Sequence, residues 1–166
     1  MVFSEVPVLS QISSIEVSSF NPRVTVLESL NKLGSFHNLR NLSLGSHQFQ
    51  LSSLLPQVRS LKYKRVSGDN NLLSYLPNLE SLEIVSHSSE PSTFPLSSIR
   101  TPLKLSVLKI SCLIIPDIDL ISNFINLEVL ELKNCRQPDN KLLKVVESMI
   151  QPLTRLKKCN ISGLFY

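Results

Sequence analysis

The chain has 166 residues, 17 Lys+Arg against 13 Asp+Glu for a net charge of +4, 42% hydrophobic residues and 6% aromatics. That balance excludes a disordered tail and suits one domain with a continuous core. The longest unbroken apolar runs, such as Leu113-Ile114-Ile115, fall far short of the roughly 18 residues of a membrane span, and Met1-Val2-Phe3-Ser4-Glu5 carries no basic n-region, so no secretory leader is expected.

Leu and Ser dominate and Ala does not occur, which argues against closely packed helices and calls for a repeat search. In chain order, an apolar residue recurs at relative positions 1, 4 and 6. The first copy is Ile12-x-x-Ile15-x-Val17; residues 24–33 then show helical spacing and stop before Gly34. The second copy, Leu39-x-x-Leu42-x-Leu44, is followed by Leu51-Ser52-Ser53-Leu54-Leu55-Pro56, with room for a turn or two. The third is Val58-x-x-Leu61-x-Tyr63 and the fourth Leu79-x-x-Leu82-x-Ile84. Residues 86–102, rich in Ser and Pro, predict an irregular loop. After the fifth copy, Leu105-x-x-Leu108-x-Ile110, residues 117–124 behind Pro116 predict a short helix. The sixth, Leu127-x-x-Leu130-x-Leu132, precedes the strongest predicted helix, residues 139–150 between Pro138 and Pro152. A degenerate seventh is Leu156-x-x-Cys159-x-Ile161.

The starts are 27, 19, 21, 26, 22 and 29 residues apart. Positions 4 and 6 alternate with polar positions 3, 5 and 7, the period of a strand with one face buried. A lone short strand cannot bury that row, so each copy must stack on the next, with the intervening segments as crossovers. The expectation is one α/β solenoid of about seven irregular units spanning 1–166. A curved parallel sheet would form the concave side, with helices and irregular loops on the convex side. Leu164-Phe165-Tyr166 leaves the last unit without a polar cap. That implies further repeats in a longer array, a docked partner, or end-to-end self-association through the uncapped edge.

Candidate chemistry is sparse. The four glycines, Gly34, Gly45, Gly68 and Gly163, form no phosphate-cradling loop. His37, His47 and His87 are isolated, so no metal, cofactor or catalytic residue is expected. Cys112, Cys135 and Cys159 include no CxxC pair. The odd count fits a reducing compartment, so an intracellular location, cytoplasmic or nuclear, is expected. Cys159 sits at core position 4 and is expected to be buried as a small apolar residue.

The units resemble leucine-rich repeats, whose period is roughly 20–29 residues. Leu127-Glu128-Val129-Leu130-Glu131-Leu132-Lys133-Asn134-Cys135 is the closest copy, with Cys at position 9 as in the cysteine-containing subclass familiar from F-box/LRR substrate receptors of ubiquitin ligases. Leu76-Pro77-Asn78-Leu79-Glu80 and Phe124-Ile125-Asn126-Leu127-Glu128 are similar both to F-box/LRR proteins and to nucleotide-binding immune receptors. The chain departs from the family at position 9 of the other units, where Phe20, His47, Val66, His87, Leu113 and Leu164 stand, so the usual asparagine or cysteine ladder is mostly missing. In this family the position 9 slot turns inward, which implies a buried Cys135. The resemblance implies a non-catalytic protein-interaction module, the substrate-recognition part of an F-box/LRR-type receptor. The alternative is a sensor or regulatory fragment of the immune-receptor type.

Positions 3, 5 and 7 would make the concave face. Position 5 reads Glu16, Ser43, Lys62, Glu83, Lys109, Glu131 and Asn160. Its middle four alternate in sign, which predicts cross-strand ion pairs, Glu83 with Lys109 among them. Position 7 adds Lys64 and Lys133, and the densest basic patch is Arg59, Lys62, Lys64 and Arg65 with Arg40 one strand away. With Glu80 and Glu128 on the same strands, the candidate protein-binding set is Arg40, Arg59, Lys62, Lys64, Glu80, Glu83, Lys109, Glu128, Glu131 and Lys133. Glu80 and Glu83 cancel part of the basic field and no aromatic is exposed to stack on a base, which disfavours nucleic acid as a partner. Phe94 and Tyr75 are expected as contacts on the loop edges.

Overall fold

The computed structural model describes residues 11–17, 35–45, 51, 53–65, 71–86, 92–137 and 142–163. The protein is α/β, and its centre is a seven-stranded parallel sheet. In chain order the strands are β1 (Ser14–Val17), β2 (Asn41–Leu44), β3 (Ser60–Arg65), β4 (Ser81–Ser86), β5 (Ser92–Thr93), β6 (Val107–Ser111), β7 (Leu113–Ile114), β8 (Val129–Lys133) and β9 (Lys158–Ser162). The main sheet runs β1-β2-β3-β4-β6-β8-β9, while β5 and β7 form a separate two-stranded parallel ladder.

The register reproduces the alignment of the repeats. Position 4 pairs continuously through Ile15, Leu42, Leu61, Leu82, Leu108, Leu130 and Cys159, and position 6 through Val17, Leu44, Tyr63, Ile84, Ile110, Leu132 and Ile161. A slip of one residue would turn both apolar rows into water, which is why the pattern pins the register. The interior members of these rows are buried, with Leu82, Leu108, Ile110, Leu130 and Leu132 at 1% exposure or less. Cys159 departs from expectation. It is exposed, because β9 is the last strand of the sheet and its neighbours Leu156 and Ile161 are only partly buried.

Six strands of the main sheet, β2, β3, β4, β6, β8 and β9, are entered through the same turn. Leu39, Val58, Leu79, Leu105, Leu127 and Leu156 each donate a backbone N–H to the carbonyl three residues earlier, on Phe36, Leu55, Leu76, Pro102, Phe124 and Leu153. A chain of shared carbonyls then links the units. Ser13 O accepts from the N–H groups of Arg40 and Asn41, Arg40 O from Arg59 and Ser60, and so on through Arg59, Glu80, Ser106 and Glu128, all at 2.8–3.1 Å. Every backbone donor at the strand entrance is therefore satisfied by the preceding unit.

Among the described residues, the crossovers contain four 3-10 turns: Asn71–Tyr75, Leu96–Ser98, Pro102–Lys104 and Ile118–Asn123. The helix expected over 117–124 is one of these. Its buried residues Ile118 and Ile121, followed by buried Phe124, recur every three positions, the period at which a 3-10 turn stacks its side chains. Residues 86–102 are also more ordered than expected: among those described, β5 and the Leu96–Ser98 turn bury Ser92, Phe94, Leu96 and Ile99. Phe94 is thus a core residue at 3% exposure rather than an edge contact, and Tyr75 packs against the same core. Helix α1 (Leu142–Ile150) lies within the predicted 139–150 helix, buries Met149, and ends at Pro152. The helix expected over 24–33 lies outside the described residues, as do His47 and His87.

The sheet is open and not curled, which corrects the expected concave curvature. Curvature needs the backs of the units to be wider than the strands. Among the described residues, the backs of the units between β3 and β8 are tight turns, and two of them pair as the parallel β5–β7 ladder, a contact that holds the backs one strand spacing apart. The arrangement is compatible with a solenoid-like stack whose core sits between the sheet and these turns. Among the described residues, no helix is long and apolar enough to cross a membrane.

Candidate interaction face

Positions 3, 5 and 7 of successive units lie on the side of the sheet opposite the core, and position 2 stands at the strand entrance. Position 5 is one continuous row, Glu16, Ser43, Lys62, Glu83, Lys109, Glu131 and Asn160, each the Cα partner of the next. The alternation of side chains along each strand holds this row outward and the apolar rows inward.

The ion pairs differ from the expected even alternation. Lys62 Nζ lies 2.9 Å from Glu83 Oε1, and this hydrogen bond raises the Lys62 pKa above its ordinary value. Glu83 and Lys109 face each other in register, but Lys109 turns to Glu131 at 3.8 Å and forms no ion pair with Glu83 among the described residues. Glu131 gathers three lysines: Lys158 at 2.7 Å and Lys109 at 3.8 Å on Oε1, and Lys133 at 3.0 Å on Oε2. Its side chain is only 8% exposed, beneath lysines that are themselves 36–61% exposed. Hydrogen bonds from Lys158 and then Lys133 lower its pKa to about 2, against the opposing effect of burial and with the charge of Lys109 adding to the shift. The carboxylate is covered by flexible lysine stems rather than by core, so it stays ionised.

Position 2 forms a second row at the strand entrance. Arg59 pairs with Glu80 at 3.1 Å, and Lys157 with Glu128 at 2.9 Å. Arg40 donates to the Gln57 carbonyl at 3.0 Å. Lys64 stands exposed in register with Val85. Of the expected set, then, Arg59, Lys62, Glu80 and Glu83 come together as two neutral pairs, which weakens the basic patch foreseen around them. Lys109, Glu131 and Lys133 converge toward the other end of the sheet, where Glu128 pairs separately with Lys157.

Two groups of residues stand outside the expected set. Lys158, at outward position 3, joins the lysines on Glu131, while Lys157 pairs with Glu128; position 3 of one strand lies diagonal to position 5 of its neighbour, which already placed Lys158 near Glu131. The second group is a side-chain ladder just before position 1. Gln57 Nε2 donates to Phe36 O at 3.4 Å, Asn78 Nδ2 to Pro56 O at 2.8 Å, and Asn126 Nδ2 to Leu103 O at 2.7 Å. Lys104 Nζ does the same to Pro77 O at 3.1 Å and also reaches Asn78 Oδ1 at 2.6 Å. The recurring Asn/Gln before an apolar position 1 was the available signal.

Cys135 is fully buried, as the resemblance implied, with Sγ 3.4 Å from Ile110 O, and burial pushes its thiol up to about 11. Such a thiol is neutral and inert at pH 7. Among the described residues, no three His, Cys, Asp or Glu side chains gather to hold a metal ion. No protein-family model and no curated protein matches the sequence.

Proposed function

We propose that this protein is a non-catalytic interaction module of the leucine-rich-repeat type that lays a segment of another protein across the outward face of its sheet. The observation that carries the reading is the in-register position 5 row running across all seven strands. Backbone ladders and the core packing beneath hold the backbone of this row, so little backbone ordering entropy remains to oppose binding. The Leu127–Cys135 copy, with its buried position 9 thiol, supports the cysteine-containing repeat type. By that resemblance the module would serve as the substrate-recognition part of an F-box/LRR-type ubiquitin ligase receptor.

Selection of peptides from a random library on the immobilised full chain tests the reading, with binding sites mapped by side-chain footprinting. Binders that protect Lys62, Glu83, Lys109 or Lys133 support it. Failure to recover any binder, or binders confined to the turn edge at exposed Leu103 and Ile125, would overturn it.

A further inference from the structure

The interaction face gathers several lysines around a single carboxylate at its β6–β8–β9 end. Strands β6, β8 and β9, with the residues that enter them, carry Lys109, Lys133, Lys157 and Lys158 against Glu128 and Glu131. The Lys157–Glu128 pair is self-contained. Around Glu131 three ammonium groups share one carboxylate, and they approach it from three directions. Lys158 stands two residues before its level on the next strand, Lys133 two residues after it on its own strand, and Lys109 beside it in register. Two oxygens serve Lys158 and Lys133 at hydrogen-bond distance, while Lys109 at 3.8 Å is held only by charge. Glu131 thus gathers the lysines at one spot and leaves two positive charges uncompensated there.

We infer that this cluster is a docking site for an acidic, extended peptide segment, with carboxylate side chains seated among Lys109, Lys133 and Lys158. The inference rests on the interaction-module reading and specifies the partner's chemistry. Charge complementarity selects an anion. Val107 and Val129, both half-buried in register beside the cluster, provide an apolar floor suited to a peptide. Glu83 and Glu131 on this face, with Glu80 and Glu128 at the strand entrances, would repel a continuous phosphate backbone. A short acidic segment can place its carboxylates between them.

The test is fluorescence anisotropy on the full chain with four labelled probes: a ten-residue peptide alternating Glu and Val, its Gln-for-Glu and Lys-for-Glu counterparts, and a ten-nucleotide single-stranded DNA. The expected result is binding of the Glu peptide alone, weakening steeply with salt, and weakened by about tenfold or more in K109Q/K133Q. The variant keeps the Lys158–Glu131 pair, and a wild-type circular dichroism spectrum with a cooperative melt above the assay temperature checks its fold. R100Q, an exposed charge in the turn before Pro102 and off the sheet face, should bind like the wild type. Equal affinity in K109Q/K133Q, equal loss in R100Q, or tighter binding of the DNA would overturn the acidic-peptide site. If library-selected peptides without acidic residues protect the sheet face and ignore K109Q/K133Q, the module reading stands and this site falls. If no peptide binds anywhere, both fall.

Discussion

Asp117 grips the backbone at Leu96 in the preceding crossover: its Oδ1 accepts the Leu96 N–H at 2.8 Å, and its Oδ2 accepts the Ser97 N–H at 2.9 Å. Asp117 stands at the N-terminus of the Ile118–Asn123 turn, yet its side chain caps the Leu96–Ser98 turn instead. One carboxylate therefore satisfies two orphan donors that Pro95, at the N-cap, leaves open. It is also what orders a Ser- and Pro-rich stretch that reads as a loop. Asp117→Ala is expected to destabilise the protein by about 1–2 kcal/mol, measured by urea unfolding, with Asp117→Asn intermediate. An unchanged midpoint in Asp117→Ala would show that solvent serves those donors equally well.

The side-chain ladder before the strands should behave as a set of directional bonds. Asn126→Asp keeps size and shape but removes the amide donor to Leu103 O. A loss of about 1 kcal/mol is expected, matched by Asn126→Ala. If Asn126→Asp unfolds at the wild-type denaturant concentration, the ladder is decorative.

The pKa of Glu131 is lowered in the folded protein to about 2 from its ordinary 4.5. The unfolded state then binds the proton first as pH falls. The stabilisation is complete above the unfolded value, and it declines as pH drops from about 4.5 through about 2. Urea midpoints at pH 7, 4 and 3 should fall in the wild type more steeply than in Glu131→Gln. Because the lysines are solvent-exposed, salt near 1 M should narrow the difference. Parallel pH slopes in the two proteins would remove Glu131 from the acid response.

A double-mutant cycle separates the two neighbouring pairings on position 5. Lys62 with Glu83 should couple by roughly 0.2–1 kcal/mol, the range for exposed pairs. Glu83 with Lys109 should couple less, because Lys109 has turned to Glu131. The reverse order would mean that the even alternation expected from the sequence holds in solution.

Position 8 of the last three described units has a common backbone state: Cys112, Asn134 and Gly163 have φ of 59°, 52° and 61°. This left-handed bend redirects the chain from the sheet into the crossover, and a β-branched side chain there is strained. A Cβ on Gly163 would fall on the Asn134 amide oxygen. Asn134→Val is expected to cost about 1–2 kcal/mol, and Asn134→Gly to stay within a few tenths of the wild type. Thermal melts of the two variants check this, and equal melting temperatures would discount the bend.

Strand positions, register and the apolar rows were legible because each depends on local alternation, and seven copies repeat it in phase. The outward set was legible for the same reason: once Leu82 and Ile84 face inward, Glu83 must face out. Pairing within that set was not. Whether Lys109 turns to Glu83 or to Glu131 depends on competition among three lysines from three strands. The backs of the units were read less well, since the short turns over residues 92–124 draw their order from contacts between units, such as Asp117 to Leu96.

By itself the sequence determined which residues form the seven strands of the main sheet, which faces are apolar, and in what order the units stack. A period-2 pattern leaves only one register that buries every row. The tertiary structure alone decided that the sheet stays open, that β5 and β7 pair behind it, that Cys159 is exposed on the last strand, and that three lysines converge on Glu131. Those outcomes depend on which side chains from separate units come within a few ångströms of one another, and a one-dimensional pattern does not record that distance.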